Sequence, residues 1–375
     1  MERSIAPNLL NDLKKKIVLV SGPRQVGKTT LAQSLMKDYD YLNFDNSEHR
    51  LALNEGSWDR KKPLVIFDEL HKMPEWKTFL KGIFDVEGTT PAILVTGSAR
   101  LDAFRKVGDS LAGRFFSYRL HPFDIKEASS FIEPTEALSR LLSVGGFPEP
   151  FLENDPIFYA RWKKSHIDVI LRQDLLDLSA IQDILAVETL IELLRGRVGS
   201  PISYVNLAGD IKKDPKTVKS YLELLESLYI VFPVRPWHRN VARSILKEPK
   251  YYFFDTAMVK GDDGKKLENA VACALKKQLH FMEDTRGMSG ELCYLKTKNG
   301  NELDFVLSQD GELTHAFEVK LSDSSRSKAF SDFGTALEKT RRVQIVMQCE
   351  REKTYPDGLE IRKAAEYLAA IDLSA

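Results

Sequence analysis

Gly22-Pro23-Arg24-Gln25-Val26-Gly27-Lys28-Thr29, followed by Thr30, has the spacing GxxxxGK[ST] and lies between an apolar run and a helical pattern. The glycines let the loop curl until successive backbone N–H groups converge on phosphate oxygens. Lys28 then reaches the β- and γ-phosphates of ATP, and the Thr29 hydroxyl is placed to ligate Mg²⁺. Downstream, Leu64-Val65-Ile66-Phe67-Asp68-Glu69 is an apolar strand ending in two carboxylates. Asp68 can hold the metal's shell, and Glu69 can polarise the attacking water, which makes the site hydrolytic rather than a bare binding loop. Thr96-Gly97-Ser98 ends another apolar strand. Ser98 could sense the γ-phosphate or orient the water; the alternative is a strand-ending turn. Arg114, in Leu111-Ala112-Gly113-Arg114, is either an arginine finger for the transition state or a surface salt-bridge residue.

A second set of chemical side chains lies near the C-terminus. Glu268 falls beside Val271, Ala272 and Leu275 on the apolar face of a helix expected over Leu267–Leu279, where a carboxylate needs a partner. In a strand over Asn301–Ser308, Glu302 and Asp304 share one face; in a strand over Leu313–Leu321, Glu318 and Lys320 share a face with Ala316. Register decides whether they meet. A two-residue Asp310-Gly311 turn sets Asp304 opposite Phe317, on the wrong face. A three-residue loop, Gln309 to Gly311 with Gly311 left-handed, sets it opposite Ala316 and diagonal to Glu318. The chemistry therefore predicts the three-residue loop.

Between these two sets, Ile202 to Asp210 and Asp214-Pro215-Lys216-Thr217-Val218 read as two short helices around a tight turn, with Asp214 as N-cap and Pro215 at the first helical position. Val218, Leu222, Leu225 and Tyr229 recur on one face of the second helix, and Lys216, Lys219 and Ser220 project from the other. Lys212, Lys213, Arg235, His238, Arg239 and Arg243 add positive charge nearby. The segment looks like a winged helix that contacts DNA; alternatively it packs between domains, and Glu223 and Glu226 on the same helix weaken a deep-groove reading.

The ordered set GPRQVGKTT, LNFDN, LVIFDELHKMPEW, ILVTGSARL and LAGRFFSYRLHPFDIKE resembles one family of prokaryotic AAA-superfamily ATPases, whose members usually continue into a C-terminal domain of unknown function. The resemblance covers nearly the whole chain. It implies a five-stranded P-loop core with Asp68-Glu69 as the Walker B pair, Ser98 at the sensor position and Arg114 in an LxGR element. Glu268, Asp304, Glu318 and Lys320, in the order E…D…ExK, resemble the PD-(D/E)xK nuclease-like core. In active members of that superfamily the carboxylates bind Mg²⁺, here Asp304 and Glu318, and the lysine activates water or stabilises charge. Cores of this type are also reused for binding alone.

The elements that must position these residues follow from hydrophobic pattern. Strands are expected at Ile17–Ser21, Tyr41–Asn43, Leu64–Asp68 and Ile93–Thr96, alternating with helices as in a parallel α/β sheet. The fold class is α/β, divided into a P-loop core (1–125), a helical lid or linker (126–180), a winged-helix-like domain (181–248) and a small α/β nuclease-like domain (249–375). Lys+Arg and Asp+Glu each total 54 in 375 residues, so any electrostatic partner is read by a local patch. Cys273, Cys293 and Cys349 lack metal or disulfide spacing, which fits a reduced, cytoplasmic setting. No apolar run approaches the ~20 residues that span a bilayer. Two functions compete: an ATP-driven switch acting on a nucleic-acid-binding or nuclease-like module, and an ATP-dependent signalling switch whose C-terminal parts bind a protein.

Overall fold

Five short segments, three of them wholly apolar and buried up to their last residue, build the first sheet. The computed structural model describes residues 3–97, 111–174, 183–238, 248–297, 299–322 and 325–373; Ser98, Arg239 and Arg243 lie outside them. Contacts divide the chain into two units: Met1–His121 with Ser227–Tyr229 and Asp284–Arg286, and the remainder.

The first unit runs α1 (Ala6–Asp12), β1 (Ile17–Ser21), α2 (Lys28–Ser34), β2 (Asp40–Asn43), α3 (Ser47–Glu55), β3 (Leu64–Asp68), α4 (Trp76–Glu87), β4 (Ala92–Thr96) and β5 (Phe115–Arg119). The strands are parallel in the order β2-β3-β4-β1-β5. All residues of β1, β3 and β4 are buried, as strands covered on both faces must be. Trp76, Leu80 and Ile83 recur at helical spacing on α4 and join Val65, Phe67 and Val95 in one core. Because the strands are parallel, Ser21, Asp68 and Thr96 all emerge at one edge. The fifth strand, β5, is only partly buried and lacks a continuous apolar run (Phe-Phe-Ser-Tyr-Arg), so hydrophobic pattern alone passes over it.

The second unit opens with helices α5 (Ile125–Ala128), α6 (Pro134–Val144), α7 (Pro148–Glu153) and α8 (Pro156–Val169). Three of them start on a proline, whose missing N–H is no loss in a first turn. Next come α9 (Ile184–Arg195), α10 (Tyr204–Ile211), α11 (Pro215–Ser227), β6 (Val231–Pro236) and β7 (Lys250–Phe253). Asp214 accepts a hydrogen bond from Lys216 N, and Val218, Leu222 and Leu225 are buried on α11. Tyr229 lies beyond the end of that helix, at φ 58°. β6 and β7 pair antiparallel, and Pro201 bridges Lys250.

The unit ends with α12 (Asp263–Arg286), β8 (Glu291–Lys296), β9 (Glu302–Gln309), β10 (Glu312–Lys320), α13 (Ala329–Asp332), β11 (Arg341–Val346), β12 (Lys353–Thr354), β13 (Glu360–Lys363) and α14 (Ala364–Ala369). One mixed sheet orders its strands β12-β13-β11-β10-β9-β8-β6-β7. α12 is longer at both ends than its apolar stripe. The Asp262 side chain caps the start by accepting from Lys265 N, and Gly287 at φ 70° closes the end.

Candidate functional site

The loop between β1 and α2 is held in its curled form by backbone geometry. Gly22 has φ 153°, and a Cβ there would lie 2.4 Å from the Leu120 carbonyl oxygen, so only glycine fits. Gln25 and Gly27 are left-handed, at φ 60° and 92°. The buried Lys28 ammonium donates to the carbonyls of Gly22 (3.0 Å) and Pro23 (2.6 Å), which folds its stem back over the loop. Val26 is buried, Arg24 half-buried, and Gln25 and Thr30 exposed.

Asp68 ends β3 beside β4 and faces α2. Its Oδ2 accepts from the hydroxyls of Thr29 (2.8 Å) and Tyr41 (2.7 Å), and its Oδ1 from the Thr96 hydroxyl (2.5 Å) and the Glu69 backbone N–H (3.1 Å). Glu69 departs from strand geometry into the left-handed region, φ 55°, a conformation that costs a non-glycine residue energy and turns the side chain off the strand's line. Its Oε2 is buried with no hydrogen-bond partner; His71 Nε2 and Lys72 Nζ stand 3.7 and 3.8 Å away. Burial raises the Glu69 pKa from its ordinary value; Lys28 and Lys72 pull it down, and Asp68 adds to the rise. A curled loop of N–H donors, a lysine, a threonine hydroxyl and a strand-end carboxylate fit a nucleotide's phosphate chain with Mg²⁺.

Arg114 is not part of this arrangement. Its backbone carbonyl accepts from Ile17 N, at the start of β1, whereas the loop follows the end of β1. Five strand residues, about 16 Å at the rise of a strand, separate the two edges. Its guanidinium is instead paired with Asp85 on α4, at 2.6 and 3.3 Å. Of the two roles open to Arg114 in the sequence, the structure has the salt bridge, and it sets the residue away from the loop of its own chain; sequence spacing does not reveal which edge of the sheet a residue occupies. Tyr41 was the overlooked hydroxyl. A tyrosine among the polar residues of β2, whose partner strand ends in Asp68, was the available signal.

In the second unit the expected three-residue loop does not form. Gln309 pairs with Glu312 across a two-residue turn, Asp310 at φ 50° and Gly311 at φ 81°. A bulge between Leu313 and His315 then shifts the register, so that Phe317 faces Phe305. One residue further on, Asp304 comes opposite Glu318. The face is the one the chemistry demanded; a bulge rather than the loop supplies it. Asp304 Oδ2 accepts from Val319 N (2.8 Å). Glu318 Oε1 accepts from Lys320 Nζ (2.6 Å) and the Ser327 hydroxyl (3.0 Å), while its Oε2 is buried without a partner. Glu268 Oε1 accepts from the Tyr252 hydroxyl (2.7 Å). Among the described residues no three His, Cys, Asp or Glu side chains come together as a metal-holding group. Glu268 and Glu318 both act electrostatically on Asp304, so these three carboxylates share one electrostatic neighbourhood. Burial, then Glu268 and Glu318, raise the Asp304 pKa well above its ordinary value, and Lys250 opposes them.

Lys250 and Gln344 had not been singled out in the sequence. Lys250, 2% exposed, pairs with Glu302 (2.9 Å), which also holds Lys296 (2.5 Å). Gln344, fully buried opposite Glu318 on β11, ties down the following loop through Ser325 O (2.7 Å) and Ser327 N (2.9 Å). The three cysteines are free thiols, and none of the described helices is long and apolar enough to cross a membrane.

Residues 14–129 match the family model described as an AAA domain, residues 135–261 a domain of unknown function (DUF8612), and residues 263–366 another (DUF4143). An uncharacterised protein of Mycobacterium tuberculosis is 26% identical over 314 residues, covering 81% of this chain and 70% of its own length. An uncharacterised protein of Methanocaldococcus jannaschii is 25% identical over 362 residues, covering 87% and 79%. Among solved structures, a Thermotoga maritima RuvB variant aligns with a TM-score of 0.32 and 15% identity, over 61% of this chain and 86% of that one. Residues 14–129 are thus similar to an AAA domain, and that similarity supports nucleotide binding at the loop that follows β1.

Proposed function

We propose that the chain is an Mg²⁺-dependent ATPase whose nucleotide state controls a C-terminal module that binds nucleic acid. The observation that carries it is the pairing of a saturated Asp68 with an adjacent Glu69 whose buried Oε2 lacks a partner. One carboxylate is locked; the other is left with a free lone pair and a raised proton affinity, as a base for water requires. Lys28 and the loop N–H groups would hold the phosphates, and Thr29 with Asp68 would hold Mg²⁺, which neutralises charge on the transferring phosphoryl group when bound. Glu69 would take the proton from the attacking water.

The sequence's four-part division stands as part of this proposal. A winged-helix reading of residues 181–248 is supported by three helices with Lys212, Lys216 and Lys219 exposed; the β6–β7 pair and the Pro201 bridge reach past that bound to residues 250–253. A nuclease-like ancestry for residues 249–375 is supported by Asp304 opposite Glu318 with Lys320 beside it. Three free cysteines support a reducing, cytoplasmic setting. The second reading, a switch that engages a protein, is favoured by Leu185 and Val205, 71% and 68% exposed on α9 and α10.

The test is a pair of variants. Lys28→Ala is expected to lose ATP binding in calorimetry. Glu69→Gln is expected to bind ATP normally and turn over roughly 10²–10⁴-fold more slowly. Normal turnover in Glu69→Gln would remove it as the base.

A further inference from the structure

An ionised carboxylate offers about four lone-pair sites in the plane of its two oxygens. In Asp68 four donors occupy them: Thr29 and Tyr41 on Oδ2, Thr96 and the Glu69 N–H on Oδ1, at 2.5–3.1 Å. Three of these belong to the P-loop and to the strands that meet at this edge. The fourth, Tyr41, comes from β2, the edge strand of the sheet. Its orientation is set from both sides. Asn43 Nδ2 donates to the Tyr41 oxygen at 3.3 Å, so the phenol's single proton is committed to Asp68. Its ring stands edge-on to His49, with centroids 6.3 Å apart, and the His49 Nδ1 accepts from Asn43 N.

We propose that Tyr41 is a positioning residue that keeps Asp68 from touching the cation directly and thereby sets which cation the nucleotide site prefers. The proposal rests on the P-loop reading above and deepens it. With its acceptor sites filled, Asp68 acts through others. It fixes the proton of the Thr29 hydroxyl toward itself, which turns that oxygen's lone pairs away from Asp68 and leaves them for a metal. It meets the cation's remaining shell only through water. Such an arrangement suits Mg²⁺, which gives up its water reluctantly and takes few protein ligands. Removing the phenol hydroxyl frees a lone pair on Oδ2 and offers a direct carboxylate ligand. Ca²⁺, which accepts six to eight oxygens in flexible geometry, gains most from that.

The experiment compares ADP binding by the full chain and by Tyr41→Phe in Mg²⁺ and in Ca²⁺, by calorimetry, so that no turnover is needed. Phenylalanine keeps the ring against His49, and thermal unfolding of the apo protein checks that the fold is retained. The expected result is a shift of the Ca²⁺:Mg²⁺ affinity ratio toward Ca²⁺ by about tenfold, the lower end of what outer-shell partners of a metal contribute. Damage to the fold alone would weaken ADP binding equally in both cations and leave the ratio where it was. An unchanged ratio in a variant that binds ADP overturns the role of Tyr41 and spares the P-loop reading. Absence of ADP binding by the unmodified chain in either cation overturns both.

Discussion

The edge of the P-loop sheet and the middle of the C-terminal sheet both gather acidic side chains, and the two regions neutralise them by different means. Asp68 is surrounded by hydroxyls, which are neutral donors, and the nearest lysine of the loop, Lys28, spends its ammonium on two carbonyls. The negative charge there is left for something that arrives. In the second unit the cations are resident. Lys250 and Lys296 hold Glu302, and Lys320 holds Glu318. Burial works to lower the Lys250 pKa, yet Glu268, Asp304 and Glu302 outweigh it and raise it; burial likewise works to raise the Glu302 pKa, and the two lysines bring it below its ordinary value. A charge met by a bound ligand serves function, whereas a charge met by the fold serves stability.

That contrast can be broken by removing one lysine from each region. Lys250→Met leaves Glu302 half-buried with Lys296 alone and removes the cation that offsets Glu268 and Asp304. A loss of about 3 kcal/mol in unfolding free energy is expected, since removing one partner of a buried ion pair strands the other. Lys28→Ala removes two hydrogen bonds to carbonyls and one of the cations that lower the Glu69 pKa, at a site less tightly paired than Glu302, so a smaller loss of about 1–2 kcal/mol is expected in the apo protein. Urea unfolding of both variants decides it. Equal losses would mean that the two regions use their lysines alike.

A smaller effect separates the carboxylates of the second unit from one another. Asp255 lies between β7 and α12, receives the Tyr159 hydroxyl (3.0 Å) and Ala257 N (3.3 Å), and sits against Gly145, where a Cβ would come within 1.8 Å of its Oδ1. Burial raises its pKa to about 7 against the pull of Tyr159, Ala257 N, Lys163 and Arg195. Its unfolded value is the ordinary 3.8. Between those two values the folded chain holds a proton that the unfolded chain has released. Stability contributed by this group is therefore present below pH 4 and is lost as pH rises toward 7, with a slope of at most about 1.4 kcal/mol per pH unit. Asp255→Asn keeps the shape and removes the titration. Unfolding measured from pH 5 to 8 should show a flatter profile for the variant, and parallel profiles would remove Asp255 as a source of pH dependence.

How much of this was legible depended on whether the signal was local. GxxxxGK[ST] and the apolar strand ending in Asp68-Glu69 carry their context in a few neighbouring residues, and three of the five strands of the first sheet, β1, β3 and β4, announce themselves as apolar runs. The fifth does not, because Phe115–Arg119 is half-exposed and alternates poorly. Tyr41, Lys250 and Gln344 were missed for one physical reason: each acts on a partner at least 17 residues away, beyond the reach of any short window. The C-terminal register was the instructive case. Period-two alternation fixes which residues share a face, and it says nothing of a bulge at Leu313–His315 that moves one strand past the other. The two roles of Arg114 stayed open likewise, since parallel strands have two edges and only the connection order tells which one a residue reaches.

The smallest expected effect concerns the surface of the second unit. Lys216 opens α11 in an exposed position, while Lys219 on the next turn stands 3.7 Å from Glu223 and Lys213 is paired with Asp183 at 2.6 Å. A free lysine can neutralise a phosphate at once, whereas a paired one must first give up its carboxylate. If this face meets DNA, Lys216→Ala should weaken binding to duplex DNA a few-fold and lower the slope of log affinity against log salt by about 0.9. Lys213→Ala should do less, because its charge is already matched. Fluorescence anisotropy across a salt series gives both numbers. A duplex affinity indifferent to Lys216, or no duplex binding in either nucleotide state, would shift the C-terminal module to the protein-partner reading. In that case Leu185 and Val205 become the residues to substitute, because their exposed apolar side chains lie on the helices just before this one.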